Sequence, residues 1–328
     1  MEDATPRTSV FIEDLLAEEV LARAYAWLCK RRKGYPSACD IWSFRRRWPE
    51  EKARLRAELA EGRYRMTLLS RVTLKTQEEV DVWSARDALV LKALALVFGQ
   101  RFPFSKQCTH LKGHGGAKGA VRQVLRVLPE HRFVLRTDVH SYYASIDHEL
   151  LLDRLAAFVK DRRILNLVAQ YLKRSAERGG CYWQYPKGLP LGCPLSPVMG
   201  ALFLSELDSR LEQLGLFFVR FMDDILVLAP TRWKLRAAVR IVNQLLASLG
   251  LAKHPDKTFI GRVEKGFDFL GYHFSPEGLG VAGPTVDKFI ARALLLYEHG
   301  PGEALASARL GAYVGRWVRW LGSGLAFP

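Results

Sequence analysis

Two adjacent carboxylates interrupt an apolar stretch of the sequence, FFVRFMDDILVLA, which spans residues 217–229. Its β-branched and aromatic residues predict two buried strands joined by a tight turn at Asp223 and Asp224. A solvated turn is one interpretation of this pair. If the pair is instead buried beside a third acidic residue, repulsion and desolvation require cations, and Mg²⁺ is the usual cation for sites built from oxygen ligands.

A suitable third carboxylate lies about eighty residues earlier in the chain. The segment FVLRTDVHSYYASID predicts a strand that ends in Asp138, followed by a turn and by a helix that starts near His148. Two divalent ions about 4 Å apart, held by oxygen ligands on rigid strands, can activate a primer 3′-hydroxyl and stabilise the leaving pyrophosphate. The three aspartates therefore favour a nucleotidyl-transfer enzyme.

The composition favours a globular protein with a polyanionic partner. The chain has 328 residues, 49% of them hydrophobic, and its formal net charge is +15. This length allows a sizeable core with one large domain or two to three subdomains. The positive charge favours nucleic acid first, and an anionic membrane second, as the partner. No apolar run approaches the roughly 20 residues of a membrane span, so no membrane association through a spanning helix is expected.

Cysteine usage and the N-terminal residues predict a cytoplasmic protein. The segment MEDATPRTSV lacks the basic and apolar regions of a secretion signal, and the five cysteines include no CxxC pair. Reduced thiols are therefore expected rather than a disulfide framework or a zinc ribbon. Cys108, His110 and His114 are potential metal ligands, but no fourth ligand lies nearby, so this segment is interpreted as a glycine-rich loop. Its Lys112 and Lys118 are placed to approach phosphates.

The elements that position these residues follow from periodicity and from turn residues. A hairpin is predicted over residues 64–83 with its turn at KTQEE, and a strand pair around FDFLGYHF. A passage rich in Gly, Tyr and Trp at 179–186 leads into a loop and one long helix within KGLPLGCPLSPVMGALFLSELDSRLEQLG. Apolar residues at helical spacing predict the other helices: 11–29, 49–61, 85–98, LLDRLAAFVKD, ILNLVAQYLKRSAE, 231–249, 285–298 and 303–321.

Basic residues interleaved with aromatic ones suit phosphate contact combined with base stacking. They occur near Tyr35 and Trp42 in the N-terminal part and near Trp317 in the last predicted helix. The alternatives are a solvated basic surface with structural tryptophans, and an amphipathic helix packed on the rest of the protein. The candidate nucleic-acid contacts are Lys30, Arg31, Arg32, Lys33, Arg45, Arg46, Arg47, Arg316 and Arg319.

Five segments in a fixed order resemble the catalytic core of bacterial reverse transcriptases. They are RTDVHSYYASID, GLPLGCPLSPVMGALFLSELD, VRFMDDILVLA, LGLAKHPDKTFIG and FDFLGY. The enzymes that they resemble are those of group II introns, diversity-generating retroelements, retrons and the unclassified "unknown group". FMDD alone is a weak signal, but five ordered motifs across about residues 64–275 are specific.

The resemblance implies an α+β right-hand polymerase with fingers, a palm built on an antiparallel sheet, and a short helical thumb. It also implies approximate domain limits. These are an N-terminal helical basic extension at 1–62, fingers at 63–132, a palm at 133–275 interleaved with the fingers, and a thumb at 276–328.

The resemblance further implies roles for individual residues of the catalytic centre. Asp138 is similar to the first metal ligand, with the carbonyl of Val139 as an additional contact. Asp223 is similar to the other principal ligand, and Asp224 to its supporting neighbour. Lys257 is similar to a lysine that protonates or neutralises the pyrophosphate, and Lys253 is the rival for that role.

Substrate-binding residues are implied in the same way. Tyr143 is similar to an aromatic steric gate that collides with a ribose 2′-hydroxyl, and a core aromatic is the alternative reading of this residue. Lys112 falls where relatives carry an arginine that meets the triphosphate. The remaining implied contacts are the nucleotide loop Pro190, Leu191, Gly192, Ser196 and Pro197, and the primer grip Phe269, Leu270, Gly271 and Tyr272.

Two departures from the family pattern carry their own hypotheses. Leu191 replaces a glutamine that would face the nucleotide, and leucine can neither donate nor accept a hydrogen bond there. Relaxed fidelity or an altered nucleotide preference is therefore expected. In the finger hairpin, VDVW stands where a basic residue followed by proline is usual, so the way in which the fingers hold the triphosphate is open.

The function implied by the resemblance is RNA-directed DNA synthesis with two Mg²⁺ ions, for which Mn²⁺ can substitute. Its partners are an RNA template, which a dedicated non-coding RNA can provide, a DNA or RNA primer and dNTPs. The alternatives are a non-catalytic, maturase-like RNA-binding protein and a template-independent nucleotidyltransferase on the same fold. The short chain, without mobility domains, suggests a role in phage defence or in a retroelement-derived system. The oligomeric state is left open.

Overall fold

The computed structural model describes residues 10–73, 79–298 and 303–325, apart from the side chains of residues 303–307 and 325. The predicted turn at KTQEE falls largely on residues 74–78, outside these ranges. The α-helices are α1 Ile12–Leu16, α2 Glu18–Arg31, α3 Asp40–Arg46, α4 Trp48–Ala60, α5 Ala85–Arg101, α6 Gly116–Val127, α7 Tyr142–Ser145, α8 His148–Ala156, α9 Arg162–Leu172, α10 Ser196–Phe203, α11 Ser205–Gln213, α12 Arg232–Ser248, α13 Gly283–Glu298 and α14 Glu303–Leu325.

The strands form three sheets, and the mixture of helices with largely antiparallel sheets confirms the α+β class. Their order in space is β2-β1-β4-β5, β6-β7-β3-β8 and β11-β10-β9. Their bounds are β1 Leu69–Thr73, β2 Glu79–Val82, β3 Phe133–Thr137, β4 Ser175–Arg178, β5 Cys181–Gln184, β6 Phe217–Phe221, β7 Asp224–Ala229, β8 Phe259–Arg262, β9 Phe267–Phe269, β10 Tyr272–Ser275 and β11 Gly278–Val281.

Most predicted helices are confirmed with shifted ends, but two of them are broken. The helix predicted at 11–29 divides at Ala17, whose ψ of 134° is extended rather than helical, into α1 and α2. The long helix after the proline-rich loop divides at Leu204 into α10 and α11. Helical periodicity continues through both breaks, so apolar spacing alone did not reveal them.

The helix predicted through residue 177 extends too far. Helix α9 ends at Leu172, and the residues after it form the β4–β5 hairpin. The turn of this hairpin is Gly179 and Gly180, whose positive φ values of 58° and 85° suit a two-residue connection. Strand β4 then pairs in parallel with β1, a partner about a hundred residues away in sequence, which no local pattern reveals.

The first of two compact units comprises residues 1–104, 141–205 and 249–251. It contains most of the helices and the sheet β2-β1-β4-β5. Helix α5 is buried on most of its surface, and its Asp87 carboxylate accepts hydrogen bonds from the Tyr64 hydroxyl at 2.7 Å and from the backbone of Thr67 at 3.1 Å. A buried carboxylate with several donors fixes the chain that leads into β1.

The second unit comprises residues 105–140, 206–248 and 252–328, and its central sheet is fully antiparallel. Helix α6 and the β9–β10 hairpin bury apolar side chains against this sheet, and α12 also packs on β3 and β7. Strand β7 is therefore buried from Ile225 to Ala229, and this covering explains its continuous apolar sequence. Among the described residues, no helix has the length and apolar character needed to cross a bilayer.

Candidate active site

The acidic hairpin predicted from sequence is present in the second unit. Strands β6 and β7 are joined at Met222 and Asp223, and Phe221 pairs with Asp224 across the turn. Strand β3 lies on the other side of β7, with Thr137 paired to Ile225. One step further along this register, Asp138 lies opposite Asp224. The antiparallel sheet thereby gathers the three predicted aspartates at one end of its central strands.

Lys257 joins this group from the connection that leads into β8. Its Nζ lies 3.1 Å from Oδ2 of Asp138, whose side chain is buried while that of Lys257 is half exposed. The backbone just before Lys257 is held beside β3, because the N–H of His254 donates a hydrogen bond to the Asp138 carbonyl at 2.7 Å. Thr137 and Thr258 also share a hydroxyl hydrogen bond of 2.8 Å. Lys257 therefore supplies positive charge to the aspartate cluster.

The electrostatics of the cluster favour a bound cation. Burial, followed by the negative charges of Asp138 and Asp223, raises the pKa of Asp224 to about 6. Burial is also the main cause that raises the pKa of Asp223, with a further contribution from Asp138. Lys257 opposes both shifts, but a carboxylate whose pKa stays raised is one that lacks sufficient positive charge nearby.

The donor set fits a hard divalent cation such as Mg²⁺. It consists only of oxygen atoms, and the Val139 carbonyl accepts no hydrogen bond within the described residues. Among those residues, no three His, Cys, Asp or Glu side chains already stand together in a ligating arrangement. The Lys257 ammonium instead lies beside Asp138, so a cation bound to this carboxylate would replace Lys257 as its counter-charge.

Two residues whose roles the sequence did not reveal hold the turn that carries Asp223. Nδ1 of His110 accepts a hydrogen bond from the backbone N–H of Met222 at 3.0 Å. Arg220, which is completely buried, donates to the Met222 carbonyl at 3.1 Å and pairs with the buried Asp208, at 2.8 Å between Nε and Oδ1. A charged residue inside an apolar strand was the signal for Arg220, because such a charge requires a buried partner.

Cys108 and His114, two of the potential metal ligands, make other contacts in the structure. The Cys108 thiol is buried, and its segment pairs along the edge of β6 at Arg220. The His114 ring bonds to the carbonyls of Ser105 and Cys108, each at 3.1 Å. These residues shape the loop before α6. Lys112 in the same loop is exposed.

The predicted primer grip is the turn and flanks of the β9–β10 hairpin. Leu270 and Gly271 form its two-residue connection with φ values of 48° and 86°. The Tyr272 ring stacks on Trp320 of α14 with centroids 4.9 Å apart, and the Lys118 ammonium lies over both rings at 4.5 and 4.1 Å. Lys118 is therefore engaged in attaching α14 to this hairpin.

The predicted nucleotide loop and steric gate lie in the first unit. The Tyr143 carbonyl accepts a hydrogen bond from Leu189 N–H at 2.7 Å, which fixes α7 against the start of the loop. Ser196 is buried, and its hydroxyl donates to the Pro190 carbonyl at 2.6 Å. Leu191 is 81% exposed, so its side chain is not part of a core. Tyr143, which is partly buried, packs beside Gly200 of α10.

The predicted nucleic-acid contacts are exposed with one exception. Arg32 is buried, and its guanidinium donates to the Trp83 carbonyl at 2.6 Å and to Asp40 at 3.2 Å. Its charge is thus used inside the first unit. On α14, Trp317 stacks on Phe289, and Arg316 and Arg319 are exposed. The exposed members are Lys30, Arg31, Lys33, Arg45, Arg46, Arg47, Arg316 and Arg319.

Comparison with known proteins gives a family match and distant relatives. The sequence model of the family described as reverse transcriptase (RNA-dependent DNA polymerase) matches residues 62–274. The putative COX1/OXI3 intron 1 protein of Saccharomyces cerevisiae is 22% identical over 302 residues, which covers 72% of this chain and 36% of that protein. The group II intron-encoded protein LtrA of Lactococcus lactis subsp. cremoris is 24% identical over 161 residues, which covers 48% of this chain and 26% of that protein.

The chain thus spans about a third of the length of the yeast protein and about a quarter of the length of the bacterial one. Among solved structures, a chain of a partial Cas6-RT-Cas1–Cas2 complex is 20% identical with a TM-score of 0.45. That alignment covers 72% of this chain and 41% of the other.

Proposed function

The chain belongs to the reverse transcriptase family, and on that premise we propose that it extends a DNA or RNA primer with deoxynucleotides on an RNA template. The observation that carries the proposal is the register of β3, β7 and β6, in which Asp138 faces Asp224 beside Asp223. The family match covers the five motifs on which the resemblance rests, so the predicted relationship is confirmed.

The aspartates hold the reacting groups in this proposal. Asp138, Asp223 and Asp224, with the Val139 carbonyl, would ligate two Mg²⁺ ions, which lower the pKa of the primer 3′-hydroxyl and stabilise the leaving pyrophosphate. His110 and Arg220 keep the turn that carries Asp223 in one conformation. The buried Arg220–Asp208 pair makes this support rigid.

Lys257 serves two purposes in succession. In the free enzyme its ammonium partly neutralises Asp138, to which it lies within 3.1 Å. If Asp138 instead ligates a metal ion, the flexible side chain of Lys257 would be released from this pair. It could then donate a proton to the leaving pyrophosphate or neutralise its charge. The rival residue Lys253 contacts this region only through its backbone, which forms an isolated antiparallel β-bridge with Val139. Its side chain forms no ion pair within the described ranges, so Lys257 is preferred as the residue that meets the pyrophosphate.

Substrate positioning is assigned to the remaining predicted residues. Tyr143 excludes a ribose 2′-hydroxyl, the loop Pro190–Ser196 lines the nucleotide site, and Lys112 meets the triphosphate. The hairpin Phe269–Tyr272 supports the primer end. The proposed domains are the basic extension at 1–62, fingers at 63–132, palm at 133–275 and thumb at 276–328, with exposed basic residues of the first and last along the nucleic acid.

Primer extension on three substrates tests the proposal against its alternatives. The protein is supplied with dNTPs or rNTPs, with Mg²⁺ or Mn²⁺, on a primed RNA, a primed DNA or an unannealed primer. We expect dNTP-dependent extension on RNA, and its loss in Asp223→Ala with RNA binding retained. Extension without a template would favour a terminal transferase. RNA binding without any extension would favour a maturase-like protein.

The second part of the proposal is that the exposed Leu191 relaxes the fidelity of synthesis. Because leucine offers no hydrogen bond to the nucleotide, we expect the Leu191→Gln variant to make fewer misincorporations than the native protein. Sequencing of complementary DNA from a defined RNA gives both error spectra. Identical spectra would remove the idea. Met66→Gln, in the same unit but outside the loop, serves as control.

The proposed biological role is phage defence or a retroelement-derived function with a dedicated RNA template. Sequencing of RNA that co-purifies with the protein identifies the template. Plating of a broad phage panel on cells that carry the native protein or Asp223→Ala tests defence. Equal plating on both would count against that role while leaving the polymerase activity in place.

A further inference from the structure

A cavity of about 820 Å³ lies in the second unit, at the end of the central sheet opposite to the aspartates. At this end β3 begins and β7 and β8 finish, because Phe133 pairs with both Ala229 and Arg262. Asp138 follows the other end of β3. Five residues at about 3.3 Å each place it roughly 16 Å from the cavity, so this is a separate site.

The walls of the cavity are apolar and rigid. Leu125, Leu128 and Val263 extend the packed core of the unit to the cavity surface. Each of the three connections around it contains a proline, whose ring fixes φ and limits movement of the loop. These prolines are Pro129, Pro230 and Pro276. A preformed, largely apolar cavity of this volume falls within the usual range of ligand sites, about 300–1,000 Å³.

The polar lining of the cavity is strongly positive. Arg132, Arg232 and Arg262 lie around it with one acidic residue, Glu264. Glu264 is paired with Arg262 at 2.9 Å. Within the described part of the chain, the exposed side chains of Arg132 and Arg232 form no ion pair, and the first turn of α12, where Arg232 lies, contains no acidic residue. Two guanidinium groups thus face the cavity without internal counter-charge.

We infer that this cavity binds a nucleoside phosphate, either a free nucleotide or a nucleotide within an RNA strand. Guanidinium groups present paired N–H donors that match phosphate oxygens. The two unpaired arginines provide more positive charge than a ligand with a single carboxylate would neutralise. They match the several negative charges of a polyphosphate, or of successive phosphates in an RNA strand. The apolar wall beside Phe133 offers the base or sugar a surface to pack on.

Photolabelling and binding of the full-length protein test this inference in buffer with EDTA. The probes are 8-azido-dATP and a ten-nucleotide single-stranded RNA that carries one 8-azidoadenosine. Labelled peptides are identified by mass spectrometry, and affinity is measured by fluorescence anisotropy. The variants are Arg132→Ala, Arg232→Ala and the charge-retaining Arg132→Lys. Lys234→Ala is the matched control, because this exposed residue lies on the same helix outside the lining.

We expect labelling within residues 125–133 or 230–232, and about a tenfold loss of the label in each alanine variant, since one charge-assisted contact is removed. Lys234→Ala should retain the label, and Arg132→Lys should retain part of it. Labelling by the free nucleotide identifies a mononucleotide site, whereas labelling by RNA alone identifies a strand site.

Three outcomes overturn the inference: no label in these segments with either probe, an equal loss in Lys234→Ala, or arginine-dependent binding of a polyglutamate peptide without binding of either nucleotide probe. None of these readouts requires primer extension. The inference therefore stands or fails independently of the proposed polymerase activity.

Discussion

Nδ1 of His110 accepts the backbone N–H of Met222, at 3.0 Å, one residue before Asp223. Met222 has a φ of 57°, a left-handed conformation that costs a residue with a side chain about 1–2 kcal/mol. Arg220 holds the other side of the same residue through its carbonyl. The orientation of Asp223 is thus set by two side chains that lie outside the turn.

Replacement of His110 by alanine should lower the turnover of primer extension about ten- to a hundredfold. The Met222 N–H loses its partner, which costs about 1–3 kcal/mol, and the turn relaxes away from its strained conformation. Single-turnover extension at saturating dNTP gives the rate. His114→Ala removes a ring from the same loop that does not contact the turn. An equal loss of rate in both variants would show general loosening of the loop.

Removal of Asp208 alone should destabilise the protein by about 3–5 kcal/mol, because the buried Arg220 loses its counter-charge. Denaturant unfolding of Asp208→Ala measures this. In the double variant Asp208→Leu with Arg220→Met, most of the stability should return because no buried charge remains. Extension should stay low, since the Met222 carbonyl still lacks its donor. Full recovery of extension in the double variant would contradict the positioning role.

The three aspartates of the candidate site were predictable from sequence because each lies at one end of a predicted strand with clear turn chemistry. The helix predicted to start near His148 is present, and Asp147 is its N-cap, accepting from the N–H groups of Glu149 and Leu150 at 2.9 Å. The register that sets Asp138 opposite Asp224 was not predictable, because these residues are 86 positions apart and their strands carry no local mark of their pairing.

Residues whose partners are distant in sequence could not be predicted. The position of Arg220 within an apolar strand indicates a buried acidic partner. Several acidic residues precede it in the sequence, however, and no local feature identifies Asp208 as that partner. Lys118 was interpreted as a phosphate contact because it follows glycines, yet its ammonium lies over the stacked rings of Tyr272 and Trp320. Arg32 was likewise grouped with its exposed neighbours, although it turns inward to Trp83.

Replacement of Lys257 by methionine should strengthen Mg²⁺ binding while it slows extension. The ammonium lies 3.1 Å from Asp138 and competes with a cation for this carboxylate. Since the lysine is half exposed, the gain is modest, about two- to fivefold in the Mg²⁺ concentration at the midpoint of a thermal-shift titration. Lys253→Met is the control and should leave the midpoint unchanged. An unchanged midpoint in Lys257→Met would show that the pair does not compete with the cation.

The thiols of Cys108 and Cys193 should resist modification in the folded protein. Burial raises the pKa of each to about 12. Only the thiolate reacts, and at pH 8 its share is about one part in ten thousand at such a pKa. Because both thiols stay protonated well below pH 12, both should still react slowly when the pH is raised from 7 to 9.

A chromogenic disulfide reagent followed by peptide mapping measures the rates, with the exposed Cys181 as the fast reference. All three thiols should react alike in denaturant. Rapid labelling of Cys108 under native conditions would show that the loop before α6 opens, and would weaken the case for its support of the turn that carries Asp223.

Two of the four glycines in helix α14, Gly322 and Gly324, should respond to replacement by alanine in opposite ways. A Cβ at Gly324 would overlap the ring and hydroxyl of Tyr272, whereas a Cβ at Gly322 has nothing within 4 Å. Gly322→Ala should stabilise the protein slightly, by up to about 1 kcal/mol, because alanine is the better helix former. Gly324→Ala should displace the helix from the β9–β10 hairpin and release Lys118 from its place over the Tyr272 and Trp320 rings.

The consequence for function separates the two variants further. If the hairpin supports the primer end, Gly324→Ala should raise the KM for the primer several-fold at nearly unchanged KM for dNTP, because the aspartates lie on a different sheet. Gly322→Ala should leave both constants unchanged. Steady-state extension with varied primer gives these values, and Trp320→Phe, which keeps an aromatic ring against Tyr272, should retain most of the primer affinity. Equal primer affinity in the two glycine variants would show that contact between α14 and Tyr272 contributes nothing to primer binding.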